Sequence, residues 1–458
     1  MEDNGVRAAQ ASDGTLDPAM AQRPIIVLRA QTGTRVGLNA GCAHRVVATS
    51  DSVEFAPSMN LRFAPLVLTI AVLAACAGRS VRTPSNASEG VRGSAAEMTY
   101  YVYVGAESAD LIHRVKLDAE GVSVDQTTPV GEMAMENEGP HGLNVSPDGE
   151  FLYMTTAHGV PDGKLWKFAA GPDTLVSRPI LLGNFPATLD LTPDGLYAFI
   201  ANFNLHGEHV PSTVSVVYTA DMVEVEQIPT CTMPHGLRMA PDGLFAYSLC
   251  MMDDQLVEID TRSFEVSRRF SVATGSEAPL TDYETPEVMT GPNGMVRGSS
   301  MAMAPMDMKN PSCSPTWVQP APDGRTLYVA CNKSDEILVV DRETWSLVHR
   351  FPSGRAPYNL GISADGTVLV ASLKGSGQVQ FFDARTGESR AIVPSTTTVT
   401  HGVAMSPDSR YAFVSVEGKG AEPGKVDVYD LERFVLVGSV GVGQQAGGII
   451  FWRMEPVD

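Results

Sequence analysis

Six segments of this chain begin with Pro or Thr and place an Asp at a tight turn eight residues later. They run from Pro140 to Asp148, Pro186 to Asp194, Pro234 to Asp242, Pro315 to Asp323, Pro357 to Asp365 and Thr400 to Asp408. An internal repeat constrains a fold more than any single residue does, because each unit must be one small motif that buries its apolar face against copies of itself. The turn aspartates are spaced by 46, 48, 81, 42 and 43 residues. Each unit reads as short β-rich runs bounded by turn residues, such as Leu327–Ala330, Glu336–Asp341 and Trp345–Phe351. Asp-Gly between the first two runs signals a hairpin, because Gly tolerates positive φ. Helical periodicity is absent from the repeat region. Four strands in a period of this length fit a β-propeller blade.

The 81-residue gap holds one blade plus an insertion of about 35 to 40 residues, placed at 274–312. A seventh blade is split across the termini. Gln445–Trp452 matches a first strand, while Tyr100–Val104 and Asp110–Lys116 match a second and third. The expectation is an all-β, seven-bladed propeller over 98–458, its last blade closed by N- and C-terminal strands so that no sheet edge stays open.

Leu327-Tyr-Val-Ala-Cys-Asn-Lys-Ser-Asp-Glu-Ile-Leu-Val-Val-Asp341 resembles the YVTN-type propeller repeat, and Ser146-Pro-Asp-Gly149 and Ala240-Pro-Asp-Gly243 fit its first hairpin. The resemblance covers most of 98–458 and implies a family that includes surface-layer proteins and YncE-like exported proteins. Lactonase propellers and the nitrite and nitrous-oxide reductase propellers are structural relatives of that set. Their full catalytic signatures are not matched.

The repeat lets residues be compared by column. Directly after the opening Pro or Thr stand His141, Ala187, His235, Thr316, Tyr358 and His401, with Ala446 expected as the seventh. First strands line a propeller's channel, so this column should ring one mouth and bind a ligand there. The loops after the second strands, carrying His158, His206, His209 and Cys250-Met-Met252, map to the same face. So does the insertion, with Met289, Met295, Met301, Met303, Met306 and Met308. Imidazoles, thioethers and thiolates suit a soft ion, so copper is the candidate cofactor, held by His141, His235 and His401 with those methionines. Three readings stay open: a structural role within each blade, a metal site, and acid–base or substrate work of lactonase or oxidoreductase type. The histidines show no tight zinc spacing. No phosphate loop or nucleophile elbow is present. A binding or interaction scaffold is therefore favoured over an enzyme.

Met59–Ala75 has a short basic start, an apolar run and Leu73-Ala-Ala-Cys76, the form of a bacterial lipoprotein signal with Cys76 acylated. The run falls short of the roughly 20 residues that span a bilayer. Residues 1–58 then read as an upstream extension outside the exported protein, and 76–97 as a flexible tether. A membrane-anchored, monomeric protein of the cell envelope, on the periplasmic or outer-membrane side, is expected. The formal charge is −20, which repels phosphate backbones and argues against nucleic acid. With Cys42 and Cys76 set aside, Cys231, Cys250, Cys313 and Cys331 remain, an even number that suits disulfides in an exported chain. Pairing within each hairpin is favoured; Cys231–Cys313 with Cys250–Cys331, or free thiols at a metal, are the alternatives.

Overall fold

The computed structural model describes residues 98–133, 135–158, 162–205, 209–282, 288 and 310–457. The signal segment, Cys76, the tether, His206, Met289, Met295, Met301, Met303, Met306, Met308 and most of the 274–312 insertion lie outside the described residues.

Seven antiparallel sheets form a β-propeller. Blades 1 to 6 open with first strands Pro140–Val145, Pro186–Leu191, Pro234–Met239, Pro315–Pro320, Pro357–Ile362 and Thr400–Met405. Blade 7 takes its first strand from the C-terminus, Ala446–Pro456, and its other three from Met98–Ala106, Leu111–Asp118 and Gly121–Pro129. The two ends of the propeller segment thus zip together, with Val104 opposite Ile449 and Met98 opposite Pro456. Blade 3 gains a fifth strand, Ala278–Leu280, from the start of the insertion. The only helix among the described residues is a single 3₁₀ turn, Glu107–Ala109. No described helix is long and apolar enough to cross a membrane.

The repeated aspartate builds each first hairpin. Asp148 Oδ1 accepts the Glu150 N–H at 3.0 Å and the Ser146 hydroxyl at 2.5 Å. Gly149 follows at φ +76°, a left-handed conformation that favours glycine. In blade 6 Ser409 takes that position at φ 60°. Second strands are sandwiched between neighbouring blades, so both their faces are apolar and buried, as in Thr326–Cys331. Outer strands alternate exposed and half-buried residues, as in Ser346–Pro352. The core therefore lies between blades. Tyr247, Phe270, Val329, Leu338 and Trp345 form one such layer, where full burial of each large side chain contributes about 2–3 kcal/mol.

Near the axis the first strands approach so closely that some positions admit no side chain. A Cβ at Gly448 would sit 1.9 Å from the His141 carbonyl oxygen. Hydroxyls latch one blade to the next here: Thr188 Oγ1 donates to the His235 carbonyl at 2.6 Å, and Ser372 Oγ to the His401 carbonyl at 2.6 Å.

Both disulfides lie within hairpins, Cys231–Cys250 and Cys313–Cys331. Cys250 faces Pro234 across the ladder. Met233, at φ 58°, folds the preceding chain back and brings the Cys231 and Cys250 Cα atoms to 5.7 Å.

Candidate functional site: the channel mouth

Every blade enters its first strand through a residue in the left-handed region: Gly139, Phe185, Met233, Ser314, Ala356, Val399 and Gln445. Each of these offers its carbonyl to the residue leaving the second strand of the same blade. Glu107 N–H donates to Gln445 at 3.0 Å, Ala157 to Gly139 at 3.1 Å, Phe203 to Phe185 at 2.8 Å, and Met251 to Met233 at 3.1 Å. Asn332, Lys374 and Glu417 do the same to Ser314, Ala356 and Val399. One mouth of the channel is thus built from two rings. The inner ring is the column after the opening Pro or Thr. The outer ring is the column just past the second strand: Glu107, Ala157, Phe203, Met251, Asn332, Lys374 and Glu417.

The seventh inner position corrects the sequence reading. Ala446 pairs with Ala106, as Pro140 pairs with Thr156 and Thr400 with Val416. Ala446 therefore occupies the Pro column, and the inner ring is completed by Gly447. The missing side chain has a consequence. A Cβ on Gly447 would lie 2.0 Å from Glu107 Oε1. The Glu107 carboxylate fills that gap and enters the inner ring between His401 of blade 6 and His141 of blade 1.

Glu107 is only 2 % exposed. Its Oε1 lies 2.8 Å from His141 Nδ1, and its Oε2 3.1 Å from His158 Nε2 and 3.1 Å from Gln445 Nε2. A carboxylate only accepts, so all three nitrogens donate. Burial pushes the Glu107 carboxyl up, but the charge and hydrogen bonds of His141, with His158 behind them, outweigh it and hold the group well below the usual range.

His235 is satisfied differently. Its Nδ1 donates to the Thr316 carbonyl at 3.0 Å, which leaves Nε2 to accept the Tyr358 hydroxyl at 3.0 Å. Burial drives its pKa down to about 3, against a smaller opposing effect of the Thr316 bond. Burial likewise pushes Tyr358 up to about 12. Both nitrogens of His235 are engaged, so the metal set of His141, His235 and His401 expected from the column is not assembled. His141 and His401 do meet, with ring centroids 5.7 Å apart, and their third partner is Glu107.

His401 is 5 % exposed and its Nδ1 has no hydrogen-bond partner. Its Nε2 lies 3.7 Å from Glu417 Oε1, which also receives Lys374 Nζ at 2.8 Å. Burial, then the Lys374 ammonium, holds His401 well below its ordinary pKa. Burial also pushes Glu417 up, with Lys374 opposing. For Lys374, burial acts downward, but Tyr358, Glu417 and Glu107 raise it more. The Lys374 ammonium stands 4.3 Å from the Tyr358 ring centre, completing a cation–π contact.

Aromatic rings wall the other side. Phe185 packs edge-on to His141 and His158, and Phe203 to His235. Met251 and Met252 rest against Phe185, Phe203 and Met233, an apolar packing role rather than a ligating one. His209 is exposed, and the four described cysteines are all consumed in disulfides. Thr316 donates its hydroxyl to the Tyr358 carbonyl at 2.8 Å and is structural. Below the rings a cavity of about 30 Å³, room for roughly one water-sized species, is lined by His141, His401, Asn359 and Trp317 among others. Asn359 Oδ1 and Trp317 Nε1, like His401 Nδ1, are buried without a partner.

Glu107, Lys374 and Glu417 were missed by the sequence reading. They share one column, and aligning the chain on second-strand ends rather than on the opening Pro exposes it.

No protein-family model matches the chain, and no curated protein is similar to it in sequence. Among solved structures it is similar to hydrazine synthase of Kuenenia stuttgartiensis, with a TM-score of 0.48 and 15 % identity over 74 % of this chain and 94 % of that one. No residue role follows from a likeness at that level.

Proposed function

We propose that the protein is a cell-envelope lipoprotein of YVTN/YncE-like type, tethered through Cys76, whose propeller binds a small polar ligand at the channel mouth without turning it over. The observation that carries this reading is the set of three buried, unpartnered polar atoms, His401 Nδ1, Asn359 Oδ1 and Trp317 Nε1, around one channel cavity. Buried polar atoms are nearly always hydrogen-bonded, so three orphans beside one cavity favour an occupant. The cavity's volume of about 30 Å³ restricts that occupant to something small. The formal charge of −20 and the Leu73-Ala-Ala-Cys76 sequence support a membrane-held protein that does not engage nucleic acid.

Native mass spectrometry of the protein extracted from its own envelope tests this. The acylated chain should carry a non-covalent adduct that is lost in His401→Ala and Glu107→Gln variants. A bare acylated mass for the wild type would refute the reading. A catalytic reading would use the His141–Glu107 pair as base and orienting carboxylate. Turnover of a sugar lactone that disappears in Glu107→Gln would replace binding with catalysis.

A further inference from the structure

We infer that the channel-mouth ligand is a divalent transition ion of borderline softness, zinc or ferrous iron in type, held by Glu107, His141 and His401. This rests on the reading of the mouth as a small-ligand site and names the ligand. One donor atom from each of these three residues lies within 4.8 Å of the other two, and all three side chains are buried. Donors around a tetrahedral ion with bonds near 2.0 Å stand about 3.3 Å apart, so the set draws in by at most about 1.5 Å to hold one.

Each member is prepared for ligation. His401 Nδ1 is buried and unpartnered, a lone pair with nothing to accept. Its opposite nitrogen, Nε2, lies 3.7 Å from Glu417 Oε1. Glu417 is itself held by Lys374. A carboxylate behind a ligating imidazole fixes its tautomer and raises its basicity. His141 Nδ1 stands 2.8 Å from Glu107 Oε1, and an ion entering between them takes the place of the proton they share. Glu107 is oriented by His158 and Gln445. Its access to the ring depends on the bare Cα of Gly447. The three ligands come from adjacent blades 6, 7 and 1, so the ion also fastens the blade formed from both chain ends to its neighbours on each side.

The donor chemistry revises the expectation of copper. Two imidazoles and a carboxylate, with no thiolate or thioether among the described donors, suit zinc or ferrous iron better than a cuprous ion. His235, with both nitrogens occupied, is outside the set.

The full mature protein, purified without a polyhistidine tag, is analysed for metals and titrated with zinc, ferrous and cobaltous ions against a chromophoric chelator. One equivalent per chain is expected, with a cobaltous visible spectrum that needs no variant to read. His401→Ala and Glu107→Gln should abolish uptake. Gly447→Ala should weaken it by displacing Glu107, and Glu417→Gln should weaken it about 10- to 100-fold as an outer-shell loss. His349→Ala, away from the mouth, should leave it unchanged. Absence of uptake by the wild type, or uptake undiminished in both ligand variants, overturns the inference. An organic adduct in the native mass spectrum with no metal would overturn it while leaving the small-ligand reading standing; a bare chain would remove both.

Discussion

Lowering the pH from about 7 to about 5 should destabilise the propeller through His235, and the size of the loss follows from linkage. In the folded protein this imidazole is 1 % exposed, donates to the Thr316 carbonyl and accepts from Tyr358, and titrates near 3. In the unfolded chain it titrates near its ordinary 6.5. Between those values the unfolded state binds a proton that the folded state does not. The contribution is therefore fully present above 6.5, falls as the pH drops, and levels off below about 3. Over the step from pH 7 to pH 5 the loss is about 2 kcal/mol. Urea unfolding at 25 °C, with the disulfides intact, should be run on the wild type and on His235→Gln at both pH values. The amide of Gln keeps one donor and one acceptor and does not titrate, so the variant carries every other acid-sensitive group unchanged. The wild type should lose about 2 kcal/mol more than the variant over this step. Equal losses, to within about 0.5 kcal/mol, would show that His235 is not held neutral and would undo the assignment of its two hydrogen bonds.

Other outcomes follow from separate features. Cys76→Ser should release the protein from the membrane fraction or leave it uncleaved; unchanged membrane association and mobility would defeat the lipoprotein reading. Non-reducing peptide mapping should link Cys231 to Cys250 and Cys313 to Cys331. Removing the first bridge, which closes a loop of 19 residues, should lower stability by about 3 kcal/mol in urea unfolding. Gly448→Ala forces a Cβ against the His141 carbonyl and should destabilise by at least about 2 kcal/mol. Gly441→Ala, with open space around its Cα, should stay within about 1 kcal/mol of the wild type in the same assay.

The repeat made the architecture legible because a propeller writes its blade once per period, and the Asp-Gly hairpins mark the register. The hairpin disulfides were legible for the same reason: two Cys pairs stand at matching places in consecutive units. The site was legible only in part. His141 and His401 lie in the column that the opening Pro defines, and they do converge. His235 shares the column but not the fate, because Thr316 and Tyr358 of the next two blades happen to offer an acceptor and a donor at the right places. Glu107 was hidden because it leaves a second strand whose partner comes from the far end of the chain. The off-by-one at Ala446 arose because blade 7 has Ala where the other blades open with Pro or Thr. The left-handed lead-ins were invisible for a local reason. Phe185, Met233, Ser314 and Ala356 each precede Pro, where the rule points to extended backbone. The hydrogen bond that each carbonyl receives from the second strand's exit overrides that preference.

Blade 7 couples the fold to the direction in which the chain is delivered. Its second, third and fourth strands are the first to emerge from any machinery that threads the polypeptide from its N-terminus, and its first strand is the last. Until residues Ala446–Pro456 arrive, Met98–Ala106 has an unpaired edge on the axis side, a template for any other extended chain nearby. Such a pairing spans almost the whole domain, and long-range contacts of this kind form late and slowly. A ring that closes this way stays open, and exposed to wrong partners, until its last strand has been delivered. The slow step in its maturation should then be the arrival and docking of one terminal strand, which makes the last dozen residues the place where delay, truncation or chaperone holding decides whether the protein is made at all.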